Sequence, residues 1–367
     1  MRIGSAIIRG HIGTCMKLRD IDTPALVVDL DAMECNLRKM AEFFANRECK
    51  ARPHFKNHKA PALARRQLRA GAIGMTCATL REAEILVESG IENVLIANEV
   101  VDESKLNRLA EMVRGASVVV AIDNESVVRD MARIQRNHKT QFVVVVDINI
   151  GLNRCGVAPG TPAAELAILS AREGLKVRGV MGYDGHHQAQ APSPDRDADV
   201  RSGCKALAQC AALIESSGIP VSIVSTGGTG TYSISGDCSG ITDVQVGTYL
   251  LMDTRYMGLG APFGRALTVL ATVVSKRDSG HAVLDCGMKA ISGERGLPAL
   301  KDVSGAKLVA LHAEHSLIEI DPQLQNTIEV GKKLEIWVHY SDATVNLHSR
   351  LYGVRNGEVE EVFRIEH

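Results

Sequence analysis

Short apolar runs alternate with stretches of helical spacing along the first two thirds of the chain. The run at 25–30 precedes a stretch in which Met33, Leu37 and Met40 recur at the spacing of one helix face. Most of the later runs are apolar almost throughout, as strands of a parallel sheet are when both faces are covered. About eight strand-helix units predict an α/β fold with a TIM-type (β/α)8 barrel. The predicted barrel strands lie at 51–56, 74–78, 93–98, 117–123, 141–149, 177–183, 221–225 and 244–252.

Past about residue 260 the helical spacing disappears. Short runs typical of strands, separated by Gly, Pro, Asn and Asp, lie at 266–275, 281–285, 307–312, 316–320, 333–339 and 358–365. This pattern predicts an all-β C-terminal domain. We therefore expect an N-terminal extension at 1–19, a barrel domain at 20–260 and a β-domain at 261–367. Residues 1–15 precede the first well-patterned segment, and we expect little fixed structure there.

Composition narrows the class of partner. The chain has 42 basic and 43 acidic residues and a net charge of -1, which gives no electrostatic attraction for nucleic acid or an anionic membrane. A small-molecule partner is therefore expected. The nine cysteines form no Cys-x-x-Cys pair, and an odd number argues against a disulfide framework. No apolar run approaches the roughly 18 residues that span a bilayer, so the sequence predicts a soluble, cytoplasmic protein.

Catalytic residues of a TIM-type barrel lie in the loops at the carboxyl ends of the strands. Lys56 stands at the end of the first predicted barrel strand, in a run that also contains Lys59. A lysine can form a Schiff base with a carbonyl cofactor when nearby cations or burial keep part of it neutral. The alternative interpretation of this run is a basic, solvated loop.

A second group of candidates follows the last two predicted barrel strands. The run at 225–231 contains three glycines and three threonines, and Gly247 and Thr248 follow the next strand. Glycines let successive backbone N–H groups turn toward one anion, and the loops after strands seven and eight commonly bind phosphate in this architecture. A plain turn is the alternative for a glycine-rich run.

A phosphate site and a Schiff-base lysine in one barrel together predict pyridoxal 5'-phosphate as the cofactor. Arg154, in the loop after the fifth strand, would be a fixed cation for the cofactor's phenolate oxygen, since arginine stays charged at any relevant pH. Tyr183, after the sixth strand, could stack on the cofactor ring. The alternatives are an exposed loop arginine and a core tyrosine.

Several motifs in fixed order resemble the D-threonine aldolase and D-serine dehydratase family. They lie at 52–59, 98–100, 151–156, 182–185, 226–230, 245–253, 284–289, 314–315 and 342–347, and the similarity extends from about residue 20 to 365. The family is similar in fold to alanine racemase, with a pyridoxal-phosphate barrel, a C-terminal β-domain and a homodimeric, head-to-tail assembly. The resemblance implies that Lys56 binds the cofactor covalently and that Arg154 faces its phenolic oxygen. The other cofactor-binding residues that it implies are Tyr183, Gly228, Thr229, Gly247, Thr248, Tyr256 and Thr79, the last where family members often have Gln.

The resemblance also implies a divalent metal ion, Mn²⁺, Mg²⁺ or Zn²⁺, bound by a His-x-Asp or His-x-Cys pair in the β-domain. Here Tyr340 stands where the family histidine would be, and His339 lies one residue earlier. In a strand, a shift of one residue sends a side chain to the opposite face, so His339 and Asp342 need a bulge or turn to share an ion. We predict His339 and Asp342 as metal ligands, with His348 as a further candidate.

The resemblance implies a pyridoxal-phosphate-dependent lyase that acts on small D-β-hydroxy-α-amino acids. Retro-aldol cleavage would give glycine and an aldehyde, whereas dehydration of D-serine or D-hydroxyaspartate would give ammonia and a 2-oxo acid. Two rival functions stay open, an amino-acid racemase and a non-catalytic pyridoxal-phosphate carrier. His186 and His187, after the sixth strand, are candidate bases.

Overall fold

The computed structural model describes residues 16–257, 259–277 and 280–367, so the expectation for residues 1–15 lies outside the described residues. In chain order the strands are β1 (Ala25–Asp29), β2 (Lys50–Ala51), β3 (Met75–Cys77), β4 (Asn93–Glu99), β5 (Ser117–Ile122), β6 (Val143–Asp147), β7 (Lys176–Met181), β8 (Ile223–Thr226), β9 (Asp243–Val244), β10 (Leu267–Arg277), β11 (His281–Leu284), β12 (Ala299–Leu300), β13 (Ala306–Leu311), β14 (Ser316–Ile320), β15 (Lys333–Trp337), β16 (Arg350–Arg355) and β17 (Glu358–Arg364). The α-helices are α1 (Leu30–Ala45), α2 (Pro61–Arg69), α3 (Leu80–Glu88), α4 (Glu103–Met112), α5 (Glu125–His138), α6 (Thr161–Arg172), α7 (Pro194–Ser216), α8 (Tyr232–Ser235) and α9 (Ser341–Val345).

Eight parallel strands form the barrel sheet in the order β2-β9-β8-β7-β6-β5-β4-β3. The two end strands meet through a parallel bridge between His54 and Thr76, and the Thr76 amide donates to the Pro53 carbonyl at 2.8 Å. The predicted TIM-type barrel is therefore confirmed. A small apolar cluster that includes Leu95, Val145 and Met181 fills its interior, while a much larger one lies between the sheet and the helices.

The last barrel strand is shorter than the sequence predicts. The predicted strand at 244–252 is β9, which ends at Val244, and the Met252 amide then donates to the Thr248 carbonyl at 2.7 Å in a turn. Tyr249 and Leu251 are fully buried by tertiary packing rather than by strand pairing. The apolar run at 244–252 therefore correctly predicted that this segment is buried, but it wrongly predicted a strand along its whole length.

The first strand does not belong to the barrel. β1 pairs antiparallel with β10 and parallel with β16, both in the second sheet, although the predicted barrel domain of 20–260 includes it. A strand buried on both faces has the same local pattern in either sheet, and only its pairing shows which sheet it joins. The chain thus contributes β1 to the second domain before α1 leads it into the barrel.

The second domain is the predicted β-domain, with mainly antiparallel pairing in the order β13-β14-β11-β10-β1-β16-β17 and with β15 joined to β10 and β12. The sequence analysis missed β12, β16 and the short helix α9. Residues 16–19 of the predicted extension pack on this domain, because the Leu18 amide donates to the Gly357 carbonyl and the Val359 amide donates to the Met16 carbonyl. None of the described helices is long and apolar enough to cross a membrane.

Candidate active site

A cavity of about 470 Å³ opens at the carboxyl ends of the barrel strands. Its wall combines barrel loops with residues of the second domain, so the site depends on both domains. The structure brings most of the predicted site residues to this wall and leaves out Thr79 and His339. The predicted residues that line the cavity are Lys56, Arg154, Tyr183, Gly228, Thr229, Gly247, Thr248, Tyr256 and Asp342.

Lys56 lies in a short 3-10 turn, Phe55–Asn57, which residues 52–54 connect to β2, so the strand predicted at 51–56 is also shorter than the sequence predicts. Its amide donates to Nδ1 of His54 at 3.4 Å, and its Nζ lies 3.7 Å from Oδ2 of Asp342. Lys59, by contrast, donates from Nζ to Oδ1 of Asn346 at 2.5 Å and does not line the cavity. The geometry therefore favours Lys56 as the amine that a bound carbonyl group would meet.

His54 lies beside this lysine and is held neutral. Burial lowers the pKa of its imidazole well below the usual range, and the positive charges of Lys56 and Arg154 lower that pKa further. A neutral ring can accept the Lys56 amide hydrogen at Nδ1, which a protonated ring could not. His54 therefore shapes the turn that presents Lys56.

The loops after β8 and β9 form one joined structure. Oγ1 of Thr229 accepts hydrogen bonds from the amides of Gly247 at 3.3 Å and Tyr249 at 3.0 Å. Within the described parts of the chain, the amides of Thr229 and Thr248 donate to no other group. Free amides beside glycines, with a threonine hydroxyl still able to donate, suit a bound phosphate.

Gln188, in the loop after β7, lines the cavity and is hydrogen-bonded to the loop after β8. Its Nε2 donates to Oδ1 of Asp184 at 2.7 Å and to Oγ1 of Thr231 at 2.8 Å, and its Oε1 accepts from the amide of Gly230 at 2.9 Å. A Cβ at Gly228 would lie 2.5 Å from Oε1 of Gln188. A larger residue at this position would therefore displace the Gln188 amide from these hydrogen bonds.

Arg154 and Tyr183 lie together at another part of the wall. The guanidinium carbon lies 5.4 Å from the centroid of the Tyr183 ring, which places the cation over an aromatic face. Burial raises the pKa of Tyr183, and burial likewise raises the pKa of Tyr256, so both phenols stay protonated. The fixed cation could pair with a phenolate oxygen, and neutral phenols could donate hydrogen bonds to a ligand.

Thr79 has a structural position instead of one on the cavity wall. It caps the amino end of α3, where its Oγ1 accepts from the Glu82 amide at 3.2 Å. Its predicted contact with the cofactor is not supported by this placement, because the side chain is occupied at the helix terminus.

Comparison with known proteins agrees with this arrangement. The model of the alanine racemase N-terminal domain matches residues 28–255, and a serine dehydratase domain model matches residues 266–354. The D-threonine aldolase of an Arthrobacter species is 34% identical over 357 residues, which cover 95% of this chain and 93% of that enzyme. The chain belongs to the D-threonine aldolase family.

Other members of the family differ in the reaction that they are named for. The D-threo-3-hydroxyaspartate dehydratase of a Delftia species is 31% identical, over 89% of this chain and 92% of that enzyme. The crystal structure of D-threonine aldolase from Filomicrobium marinum superposes with a TM-score of 0.91 at 35% identity and covers 96% of this chain and 97% of that one. The predicted family and fold are confirmed, whereas the names of these relatives include both an aldolase and a dehydratase.

The predicted ligands of the family's metal ion are not brought together. Nδ1 of His339 lies 2.7 Å from the hydroxyl of Thr254, and its Nε2 lies 3.1 Å from the carbonyl of Arg295. Asp342 instead accepts from Nδ2 of Asn57 at 2.7 Å and faces Lys56. His348, the further candidate, has its Nε2 2.7 Å from the Ala290 carbonyl. In this arrangement His339 and Asp342 do not face a common site, and metal binding by the two residues stays a prediction.

Two arginines on the cavity wall were missed by the sequence analysis. The guanidinium carbons of Arg255 and Arg295 lie 5.8 and 5.6 Å from the centroid of the Tyr340 ring. Arg255 directly precedes Tyr256, which the resemblance implies to be a cofactor-binding residue, so the position of Arg255 near the site could have been predicted. Arg295 lies in a loop between β11 and β12, and nothing in its local sequence indicates that this loop reaches the barrel.

An acidic cluster lies behind Arg154, at the ends of β4, β5 and β6. Ligand-type atoms of Glu99, Asp123 and Cys155 lie within 4.8 Å of one another. Burial and the neighbouring carboxylate of Glu99 raise the pKa of Asp147 to about 8. This cluster therefore holds a proton near neutral pH, which limits its negative charge beside Arg154.

Proposed function

We propose that this protein is a pyridoxal-phosphate-dependent lyase that cleaves D-β-hydroxy-α-amino acids between Cα and Cβ, giving glycine and an aldehyde. The observation that carries the proposal is one cavity that joins the amine of Lys56 to the amide-rich loops after β8 and β9. The second wall, from the serine dehydratase-like domain, encloses the cavity as an enzyme requires and a simple carrier does not.

The residues present suit the cofactor. Thr229 and Thr248 would hold its phosphate through free amides, Arg154 would pair with its phenolate oxygen, and Lys56 would bind its aldehyde carbon. When bound, pyridoxal phosphate supplies an electron sink for the negative charge left on Cα by bond cleavage. The neutral hydroxyls of Tyr183 and Tyr256 would donate hydrogen bonds without adding charge.

The base that removes the β-hydroxyl proton would be Asp342. Its carboxylate lines the cavity, is oriented by Nδ2 of Asn57 at 2.7 Å, and lies 3.7 Å from Nζ of Lys56. A carboxylate held by hydrogen bonds near the reacting atoms can act as a general base. His186 and His187, the bases suggested by the sequence, do not line the cavity, and Nδ1 of His187 lies 3.0 Å from Oε1 of Gln190.

Dehydration of a D-β-hydroxy amino acid is the second candidate. It is favoured by the serine dehydratase domain match over 266–354, which contains Arg295, Tyr340 and Asp342 of the cavity wall. The homodimer expected from the resemblance and the cytoplasmic location expected from the composition remain predictions.

Product analysis tests the proposal. Holoenzyme is incubated separately with D-threonine, L-threonine, D-serine and D-alanine, and glycine, acetaldehyde, ammonia, 2-oxo acids and L-alanine are measured. We expect glycine and acetaldehyde in equal amounts from D-threonine and neither product from L-threonine. Ammonia with a 2-oxo acid from D-threonine or D-serine would identify the dehydratase instead. L-alanine from D-alanine would identify a racemase, and equal cleavage of L-threonine would reject the assignment.

A further inference from the structure

The family's metal position lacks one of its two usual donors in this chain. The family pair is His-x-Asp or His-x-Cys, and the corresponding positions here are Tyr340 and Asp342. Both ring nitrogens of the neighbouring His339 are within hydrogen-bond distance of other groups. A protonated phenol is a poor substitute for imidazole, because zinc and similar ions bind imidazole nitrogen, thiolate or carboxylate.

The one remaining carboxylate has other partners. Oδ1 of Asp342 accepts from Asn57, and Oδ2 faces the amine of Lys56. Among the described residues, the group with three ligand-type side chains in reach of one ion is Glu99, Asp123 and Cys155, which does not include Asp342. One carboxylate with a lysine beside it would bind a divalent ion only weakly.

Positive charge already occupies this part of the wall. Arg255 and Arg295 both lie beside the ring of Tyr340, and the side-chain nitrogen of Lys56 lies 3.7 Å from Oδ2 of Asp342. Arg255 is half-buried, lies 6.0 Å from the Tyr256 ring centroid, and has no carboxylate partner anywhere in the described ranges. Arg295 pairs with Glu294 at 3.2 Å, but half of its side chain is exposed, so this pair is weak and can exchange. These cations would repel a divalent ion.

We propose that the guanidinium groups of Arg255 and Arg295 replace the divalent metal ion in this protein and bind the carboxylate of the substrate. Guanidinium groups donate paired hydrogen bonds to carboxylate oxygens, and stacking on Tyr340 would limit the freedom of both side chains. The claim that the two arginines bind the substrate carboxylate rests on the proposed function, whereas the claim that no ion binds at Asp342 does not depend on it.

Manganese binding tests the ion directly and needs no activity. Chelator-treated holoenzyme is titrated with Mn²⁺, and free ion is followed by electron paramagnetic resonance for the wild type and for Asp342→Asn. We expect both proteins to bind the same number of ions, since any bound ion lies away from Asp342. An ion that the wild type binds and Asp342→Asn loses would overturn the proposal.

A gain of binding tests the cause. The double variant Tyr340→His with Arg255→Gln rebuilds the His-x-Asp pair and removes one cation, and we expect it to bind one more Mn²⁺ than the wild type. The matched variant Tyr340→Phe with Arg255→Gln should gain none. No additional ion in the histidine variant would show that Tyr340 and Arg255 are not what excludes the metal.

Ligand titration tests the carboxylate. D-alanine and D-alaninamide differ in the carboxylate, and their binding is followed through the visible absorption of the cofactor. We expect the wild type to bind D-alanine at least about tenfold more tightly than the amide and Arg255→Gln to lose that preference. An unchanged preference in Arg255→Gln and in Arg295→Gln would overturn this assignment. Absence of any cofactor band would instead reject the proposed function and leave the manganese result intact.

Discussion

The two ends of the cavity are built in different ways. At the cofactor end, Lys56, Thr229 and Thr248 lie in the loops that follow β2, β8 and β9, and the binding groups are the Lys56 amine and the backbone amides of the two threonines. At the outer rim, Arg295 and Tyr340 come from the second domain and act through long side chains. The difference teaches that the cofactor end depends on local turns, which the barrel positions, whereas the rim depends on how two domains pack.

Substitutions at the two ends of the cavity should therefore have different effects. A change at the cofactor end should remove the cofactor or its covalent bond, whereas a change at the rim should leave the cofactor in place and weaken the binding of substrate. The following variants test that separation.

Replacing Lys56 should have the largest effect. Lys56→Ala should lower kcat by more than about 10³-fold, beyond the usual loss for one electrostatic contact, because no other amine takes its place on the cavity wall. Activity and the visible band of bound cofactor are the measurements. Lys59→Ala is the control and should keep the band, since Lys59 lies outside the cavity. The reverse pattern would mean that Lys59 is the covalent lysine.

Arg255→Gln should weaken substrate binding at the outer rim without affecting the cofactor. We expect KM for D-threonine to rise by about 30- to 100-fold, because a charged partner of the substrate carboxylate is lost, while the cofactor band is unchanged. Steady-state kinetics and an absorption spectrum of the same sample give the result. Loss of the cofactor from this variant would place Arg255 at the cofactor end and break the distinction.

Gln188→Ala should destabilise the loop after β8. It leaves the amide of Gly230 without a partner and removes one hydrogen bond each from Asp184 and Thr231, at a cost of about 2 kcal/mol. We expect a melting temperature lower by several degrees and faster loss of cofactor on dialysis. The exposed Gln190→Ala should change neither. A stable variant that keeps its cofactor would show that the phosphate loop needs no such support.

The smallest effect concerns pH. The pKa of Asp147 is raised from its usual 3.8 to about 8, so the folded protein keeps a proton that the unfolded chain releases between those values. The free energy of unfolding should therefore fall as pH rises through that window, by about 1 kcal/mol between pH 6 and 8. Denaturant titration of Asp147→Asn should show a flatter pH dependence. Parallel curves for the variant and the wild type would contradict the raised pKa.

Much of the fold could be predicted from the sequence because most helices and strands have a local pattern of apolar and polar residues. Strands 93–98 and 316–320 coincide closely with β4 and β14. β16 was missed because Arg350–Arg355 has charged ends and a central glycine, and it is stabilised by pairing with β1 and β17. Pairing is a long-range property, and for the same reason the sequence does not show that β1 pairs with β10 and β16.

The predictability of the site residues also depends on whether their positions follow from local sequence or from long-range packing. Lys56 and Thr229 were predictable because a barrel puts every strand end at one rim. His339 was chosen by its distance from Asp342 in sequence, but it turns toward Thr254 and the loop of Arg295. Arg295 was missed because its loop meets the barrel only through the packing of the two domains.

The most direct test of the central claim is to locate the covalent bond between protein and cofactor. Borohydride reduction of the holoenzyme, followed by proteolysis and mass spectrometry, identifies any lysine that carries a pyridoxyl group. We predict one labelled peptide, containing 52–59, with the modification on Lys56. Label on another lysine, or no label in a protein that still cleaves D-threonine, would contradict the account.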